Sequence, residues 1–250
     1  MNNKILCDAH THFVTDEDLQ QRIEQNITSL VCSSTREEME NFLSKNAPSY
    51  IIPTCGVHPW NADKMTIDDM IDYLEMVPIV GEIGMDNIWC EVPLDIQQTV
   101  FESQLKYAMD AGKPVILHTK EQEKEIADII RKYPNKYLIH WYSCENYLEE
   151  YIDQDCYFSI GPDVWWNPAT QNVAKTVPAN RILTETDGLN AVKWAYDEAP
   201  ESKKSLLAKV PDTTKSSLEV VVDTICKIRG ITEEECLSLA HENLMRFIGK

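Results

Sequence analysis

Short runs of apolar and β-branched residues recur along the chain at 5–8, 29–32, 50–55, 79–83, 115–117, 137–139, 156–160 and 181–184. Runs of this length read as strands. Between them lie segments with apolar positions three and four residues apart, at 37–46, 67–76, 96–111, 123–133 and 145–153, and two more follow the last strand, at 216–229 and 232–247. That spacing is helical. Thr35 with Glu38, and Thr232 with Glu235, are capping-box pairs marking helix starts. The stretch 190–215, rich in Lys, Ser, Pro and acidic residues, reads as a long loop. Strands alternating with helices build a parallel sheet, and eight of them predict a (β/α)8 TIM barrel filling 1–250 as one domain. An open doubly wound sheet would carry a glycine-rich phosphate loop after its first strand; here that position holds Asp8-Ala9-His10-Thr11-His12.

Composition narrows the class. Of 250 residues, 41 are acidic and 23 basic, a net charge of -18, and 43% are hydrophobic. Apolar runs are far too short for a membrane span, and the hydrophobic fraction is too high for a disordered chain. The chain opens without the pattern of a secretory signal, so a cytoplasmic location is expected, with no membrane association and no obligate protein partner. Eight cysteines are spread with no CxxC pair, which argues for buried reduced thiols over a zinc ribbon or a disulfide scaffold. So acidic a protein repels nucleic acid at long range, and the only adjacent basic pairs are Arg131-Lys132 and Lys203-Lys204. Coating of long duplex is excluded; a strand end or a short oligonucleotide is not.

Five of the six histidines, His10, His12, His58, His118 and His140, fall at or just past the end of a predicted strand; Glu82 and Asp187 occupy the same position on the fourth and eighth strands. In a barrel those ends converge on the face where active sites are built. His10 and His12, two apart on an extended chain, point to the same side. Asp8 reads equally as a partner that orients one of these imidazoles and as a strand-end carboxylate bonded to backbone amides. His10, His12, His118 and His140 with Glu82 and Asp187 make six ligands, too many for one tetrahedral ion and suited to two ions sharing a carboxylate, with Glu82 as the natural bridge.

These motifs, together with Gly56-Val57-His58-Pro59, Gly81-Glu82-Ile83-Gly84-Met85-Asp86, Pro114-Val115-Ile116-Leu117-His118, His140-Trp141-Tyr142-Ser143, Glu185-Thr186-Asp187, Gln97 with Phe101 and Asn243 with Phe247, resemble the TatD family of metal-dependent deoxyribonucleases, within the wider amidohydrolase-like barrels. The match runs the whole chain. The resemblance implies His10, His12, Glu82 and Asp187 around one metal and Glu82, His118 and His140 around the other, with Glu82 and Asp187 catalytic and His58 reaching the substrate phosphate. It implies two divalent ions; a histidine-rich shell suits Zn or Mn by ligand softness, while nucleases of the family are usually run with Mg. The expected activity is phosphodiester hydrolysis, trimming single-stranded or frayed DNA from the 3′ end. Alternatives on the same site are hydrolysis of another ester or amide bond, including aminoacyl-tRNA deacylation, and a metal-binding partner protein without turnover.

Several positions depart from the family. Trp60 stands where the family usually has a second His, and Lys120 where it has an Arg; both are expected to touch substrate. Cys144 replaces a glycine, Gly188-Leu189 replaces Ala/Gly-Pro, and Thr213-Thr214-Lys215 lies near the place of a missing Asn-Glu-Pro stretch. All six tryptophans follow predicted strands, and stacking of unpaired bases on them, Trp60 and Trp165 foremost, would replace the missing cationic patch. Asp86 and Glu185 read as loop-tying carboxylates, and His241 as a helix-surface residue.

Overall fold

Eight strands pair in parallel, in the order of the chain, in a computed structural model that describes residues 5–12, 15–207 and 210–250. They are β1 (Cys7–His12), β2 (Thr28–Ser33), β3 (Ile51–Cys55), β4 (Ile79–Asp86), β5 (Val115–Lys120), β6 (Tyr137–Ile139), β7 (Tyr157–Ile160) and β8 (Ile182–Thr184). The seam between β8 and β1 is joined by Thr184 Oγ1 donating to the Cys7 carbonyl (2.6 Å) and by the Asp187 amide donating to the His10 carbonyl (3.1 Å). The sheet is thus a nearly closed barrel, as the strand count predicted.

The helices are α1 (Asp16–Glu24), α2 (Arg36–Ser44), α3 (Ile71–Met76), α4 (Leu94–Ala111), α5 (Glu123–Ile130), α6 (Leu148–Ile152), α7 (Pro168–Thr176), α8 (Leu189–Asp197), α9 (Glu201–Lys204), α10 (Thr214–Arg229) and α11 (Glu233–Ile248). Capping boxes at Thr35 and Thr232 start α2 and α11, as read from the sequence. Three corrections follow. The segment 190–215, expected to be loop, is largely helical in α8 and α9, with 208–209 outside the described residues. Apolar Val192 and Ala195 anchor α8, a pattern masked by the charged and proline-rich residues that follow it. The segment 67–76 divides into a 3-10 turn, Ile67–Asp69, and the short α3. Helices α1 and α7 add to those read from the periodicity: α1 buries Arg22 and Asp18 beside Leu19, and the short α7 buries Val173 with Ala169, Ala174 and Thr170.

Inside the barrel, Leu30, Ile52, Ile79, Ile116, Leu138, Tyr157 and Leu183, one from each of β2 to β8, form a layer with Cys7 and Ala9 of β1. Helix α11 closes this layer from the N-terminal end with Leu244 and Phe247, both fully buried, each contributing roughly 1.5–3 kcal/mol of apolar burial. Asn243 holds the helix there, its side-chain amide donating to the carbonyls of Ile182 (2.7 Å) and Ala179 (2.8 Å). His241 lies at this same end, 3.7 Å from the Cys7 thiol. The opposite, C-terminal mouth is left for polar side chains.

Candidate metal centre

Side chains alternate along a strand, so parity decides which residues reach the mouth. On β5 the inward Ile116 is followed at two-residue steps by His118 and Lys120, and on β6 Leu138 is followed by His140. From β8, Leu183 leads to Glu185 and Asp187. Strands β1 and β4 break the rule. Between Asp8 and Thr11, β1 advances three residues while β2 advances two, and between Val80 and Ile83 β4 advances three while β5 advances two. Each extra residue is a bulge that reverses the parity. Cys7 and Ala9 therefore face inward below, and His10 and His12 face inward above; Ile79 is inward below, and Glu82 above. Gly81 makes the second bulge possible: its φ is 139°, and a Cβ there would stand 2.6 Å from the Ile116 carbonyl oxygen.

The two carboxylate oxygens of Glu82 face different groups. Oε2 lies 3.4 Å from His10 Nε2 and 3.4 Å from His12 Nε2, and Asp187 Oδ1 lies 3.3 and 3.4 Å from the same two nitrogens. Four ligands held tetrahedrally about 2.0–2.1 Å from one ion stand about 3.3–3.4 Å apart, so these spacings fit a cation at their centre. His10 Nε2, Glu82 Oε2 and Asp187 Oδ1 are all buried and lack any hydrogen-bond partner, the state expected of groups built to hold an ion. On the other side, Glu82 Oε1 lies 2.6 Å from His118 Nδ1, 2.7 Å from His140 Nε2 and 3.6 Å from His58 Nε2. His58, expected from the resemblance to reach a phosphate, thus shares with Glu82 and His118 a group whose ligand atoms lie within 4.8 Å of one another.

The charge states follow from this crowding. Burial alone would keep Glu82 protonated, but the ring of histidines, His140 foremost, holds it well below the usual carboxylate range. Burial likewise opposes charge on His10, His12 and His140, yet the carboxylates outweigh it and raise all three. The site is a pair of buried anions that calls for positive charge. His58 is the exception: burial outweighs Glu82 and brings it down to about 4, so it is neutral near pH 7.

Supporting residues fix these rings. Asp86 Oδ2 lies 3.0 Å from His118 Nε2 and accepts from the Trp60 indole (2.7 Å), while Oδ1 accepts from the amides of Ile88 and Trp89. An ionised Asp86 can only accept, so the Nε2–H of His118 donates to it. Glu185 Oε1 lies 3.6 Å from His140 Nδ1, with its other oxygen held by Ser159 Oγ (2.5 Å). Asp86 and Glu185 do more than the loop-tying the sequence suggested: each also stands behind a site histidine. Of the two readings of Asp8, orientation of an imidazole is not what the structure shows. Asp8 accepts instead from Arg22 (2.9 Å), from the Thr186 amide (2.8 Å) and from the Thr186 hydroxyl (2.7 Å), and that hydroxyl in turn accepts from the Gly188 amide. Asp187, itself at φ 56°, is gripped on both sides by this network. Arg22, fully buried, also binds Asp18 (2.9 Å), and Thr214 Oγ1 donates to Asp18. Nothing in the sequence marked Arg22, a lone cation in a polar helix.

A cleft of about 540 Å³ opens over the centre, lined by His12, His58, Glu82, His118, His140 and Asp187 together with Lys120 and the tryptophans 60, 89, 141, 166 and 194. Lys120 ends a strand and is buried. Trp165 does not line the cleft: it is buried against Trp166 and Tyr196, so the expectation that it meets substrate is corrected in favour of its neighbour. Trp60 does line the cleft, tethered by Asp86.

A parallel barrel whose C-terminal mouth gathers histidines and carboxylates able to hold metal defines a metal-dependent hydrolase. The chain matches the family described as TatD related DNase over residues 7–249 and belongs to it, in agreement with the motifs read from the sequence. It is 24% identical over 268 aligned residues to the uncharacterized metal-dependent hydrolase YabD of Bacillus subtilis (strain 168), covering 97% of this chain and 98% of that protein. It is 25% identical over 213 residues to the 3'-5' ssDNA/RNA exonuclease TatD of Musicola paradisiaca (strain Ech703), covering 78% and 80%. The structure of YjjV, a TatD homolog from Escherichia coli K12, aligns with a TM-score of 0.81 at 20% identity over 99% of both chains. Among the described residues, no helix is long and apolar enough to cross a membrane.

Proposed function

We propose that the protein is a phosphodiesterase that removes nucleotides from single-stranded or frayed DNA in the 3′ to 5′ direction, using two divalent ions. The observation that carries this reading is Glu82, whose two oxygens serve two separate ligand groups, as a bridge between paired ions requires. His10, His12, Glu82 and Asp187 would hold one ion, and Glu82, His118 and His140 the other. When bound, such ions supply Lewis acidity and lower the pKa of a bound water to about 7.

The chain's own residues do the rest. Asp187, kept ionised by the adjacent His10 and His12 despite its burial, accepts the proton of the attacking water through its carboxylate. Neutral His58 and the ammonium of Lys120 meet the phosphate, His58 by a hydrogen bond and Lys120 by charge. His58 Nδ1 accepts from the Trp60 amide at 3.3 Å, which leaves Nε2 as the N–H, 3.6 Å from Glu82 Oε1. Asp86 holds the His118 ring by a hydrogen bond, and Glu185 places its charge 3.6 Å behind the His140 ring. The relative named as a 3'-5' ssDNA/RNA exonuclease supports the choice of substrate.

The test is a metal titration with end-labelled single- and double-stranded DNA and RNA. A stepwise ladder from the 3′ end, dependent on added ion and lost in Glu82→Gln, is expected. Metal-dependent turnover of carboxylic esters or aminoacyl-tRNA with intact DNA would replace this reading by another hydrolysis on the same centre.

A further inference from the structure

Lys120 is the one lysine or arginine among the described residues lining the cleft. Its amino group is buried, yet no carboxylate among the described residues lies within ion-pair distance of it. It rests instead between two indoles, 5.6 Å from the ring centre of Trp89 and 5.8 Å from that of Trp141, and donates to the Trp141 carbonyl (3.3 Å) and Ser143 Oγ (3.4 Å). Trp194 packs edge-to-face on both, with centroids 5.9 Å from Trp89 and 5.8 Å from Trp141. Trp141 is buried, whereas Trp89 and Trp194 are 50% and 44% exposed. The result is a box of three indoles with a lone cation in its wall.

Two properties of the box select a ligand. Lys120 makes no ion pair among the described residues, and Asp163 of the lining acts on it only from a distance, so its ammonium favours an anion. Half-exposed indole faces, held by mutual packing, favour a flat ring laid on them. A track for a polyanion would instead show a row of cations. We infer that Trp89, Trp141, Trp194 and Lys120 form a subsite for a single unpaired nucleotide next to the scissile linkage, its phosphate on Lys120 and its base stacked on the exposed indoles. This rests on the phosphodiesterase reading above and adds to it that grip comes from stacking on one base and not from phosphate contacts along a strand.

The experiment uses metal-loaded protein and a pentathymidylate with charged, non-hydrolysable methylenephosphonate linkages, followed by quenching of tryptophan fluorescence. Replacing the terminal thymine by an abasic sugar should weaken binding about 5- to 150-fold, the range of one base–aromatic stack. Trp194→Ala and Trp89→Ala should each reproduce part of that loss, and Trp194→Phe should restore it. Lys120→Met should make the slope of log affinity against log salt shallower by about 0.7, the share of one phosphate contact on a single strand. If natural DNA is cleaved but the abasic and alanine changes have no effect, or Lys120→Met leaves the salt slope unchanged, the stacking subsite is rejected while the nuclease reading stands. If the protein neither cleaves DNA nor binds the pentathymidylate, both fall.

Discussion

Arg22→Met separates the buried ionic network from everything else in the molecule, because methionine keeps the apolar stem and removes only the charge and its donors. In the folded protein Arg22 is fully buried and holds Asp8 and Asp18 at 2.9 Å each, with hydroxyls of Ser29 (2.9 Å) and Thr11 (3.2 Å) completing its contacts. Removing one partner of such a pair strands a buried carboxylate, at a cost of about 3–5 kcal/mol. Burial already raises the pKa of Asp8 even with Arg22 beside it. Without Arg22 the burial of that carboxyl pushes its pKa further up. A folded-state pKa raised above the unfolded value gives stability that is present at low pH and lost as the pH rises. The deficit of Arg22→Met should therefore be about 3–5 kcal/mol at pH 7.5 and smaller at pH 5. Urea unfolding of wild type, Arg22→Met, Asp8→Asn and the double variant at both pH values measures this, and the double variant should recover part of the loss. Because Asp8 grips Thr186 and, through it, Gly188, the variant should also bind divalent ions more weakly by calorimetry. A loss under about 1 kcal/mol at pH 7.5, or strict additivity of the two substitutions, would refute the reasoning.

Asp86→Asn removes the negative charge behind the His118 ring, and should lower metal affinity about 10- to 100-fold with little change in urea midpoint; an unchanged affinity would make Asp86 a loop tie only. His10, His12 and His140, all raised, hold protons in the metal-free protein, so loading a divalent ion should release protons, and affinity should rise as the pH climbs above about 6.5. Calorimetry in buffers of different ionisation enthalpy counts those protons. The same shifts stabilise the metal-free protein fully below about pH 6.5 and progressively less above it, a decline that added ion should reverse in thermal melts. Gly81→Ala should cost about 2–5 kcal/mol, from a positive φ and the clash with the Ile116 carbonyl, and the urea midpoint would show it.

Much of this protein is legible in its residues. Eight apolar runs separated by helical periods lead to the barrel, because buried parallel strands and amphipathic helices each leave a distinct repeat. The residues of the centre are equally visible, since His10, His12, His118, His140, Glu82 and Asp187 all stand near strand ends. Helices α1 and α7, nine residues each, present few large apolar side chains, Leu19 and Ile23 in one and Val173 in the other.

Tertiary structure alone decided which way the key side chains point. Strict alternation from the inward Cys7, Ala9 and Ile79 would turn His10, His12 and Glu82 away from the mouth, and a one-residue bulge in each of β1 and β4 reverses that. Bulges are set by pairing with the neighbouring strand, a long-range contact that one strand's sequence does not encode. The same holds for Arg22 beneath Asp187 and for the three indoles around Lys120, partners drawn from distant parts of the chain that meet only when the barrel closes.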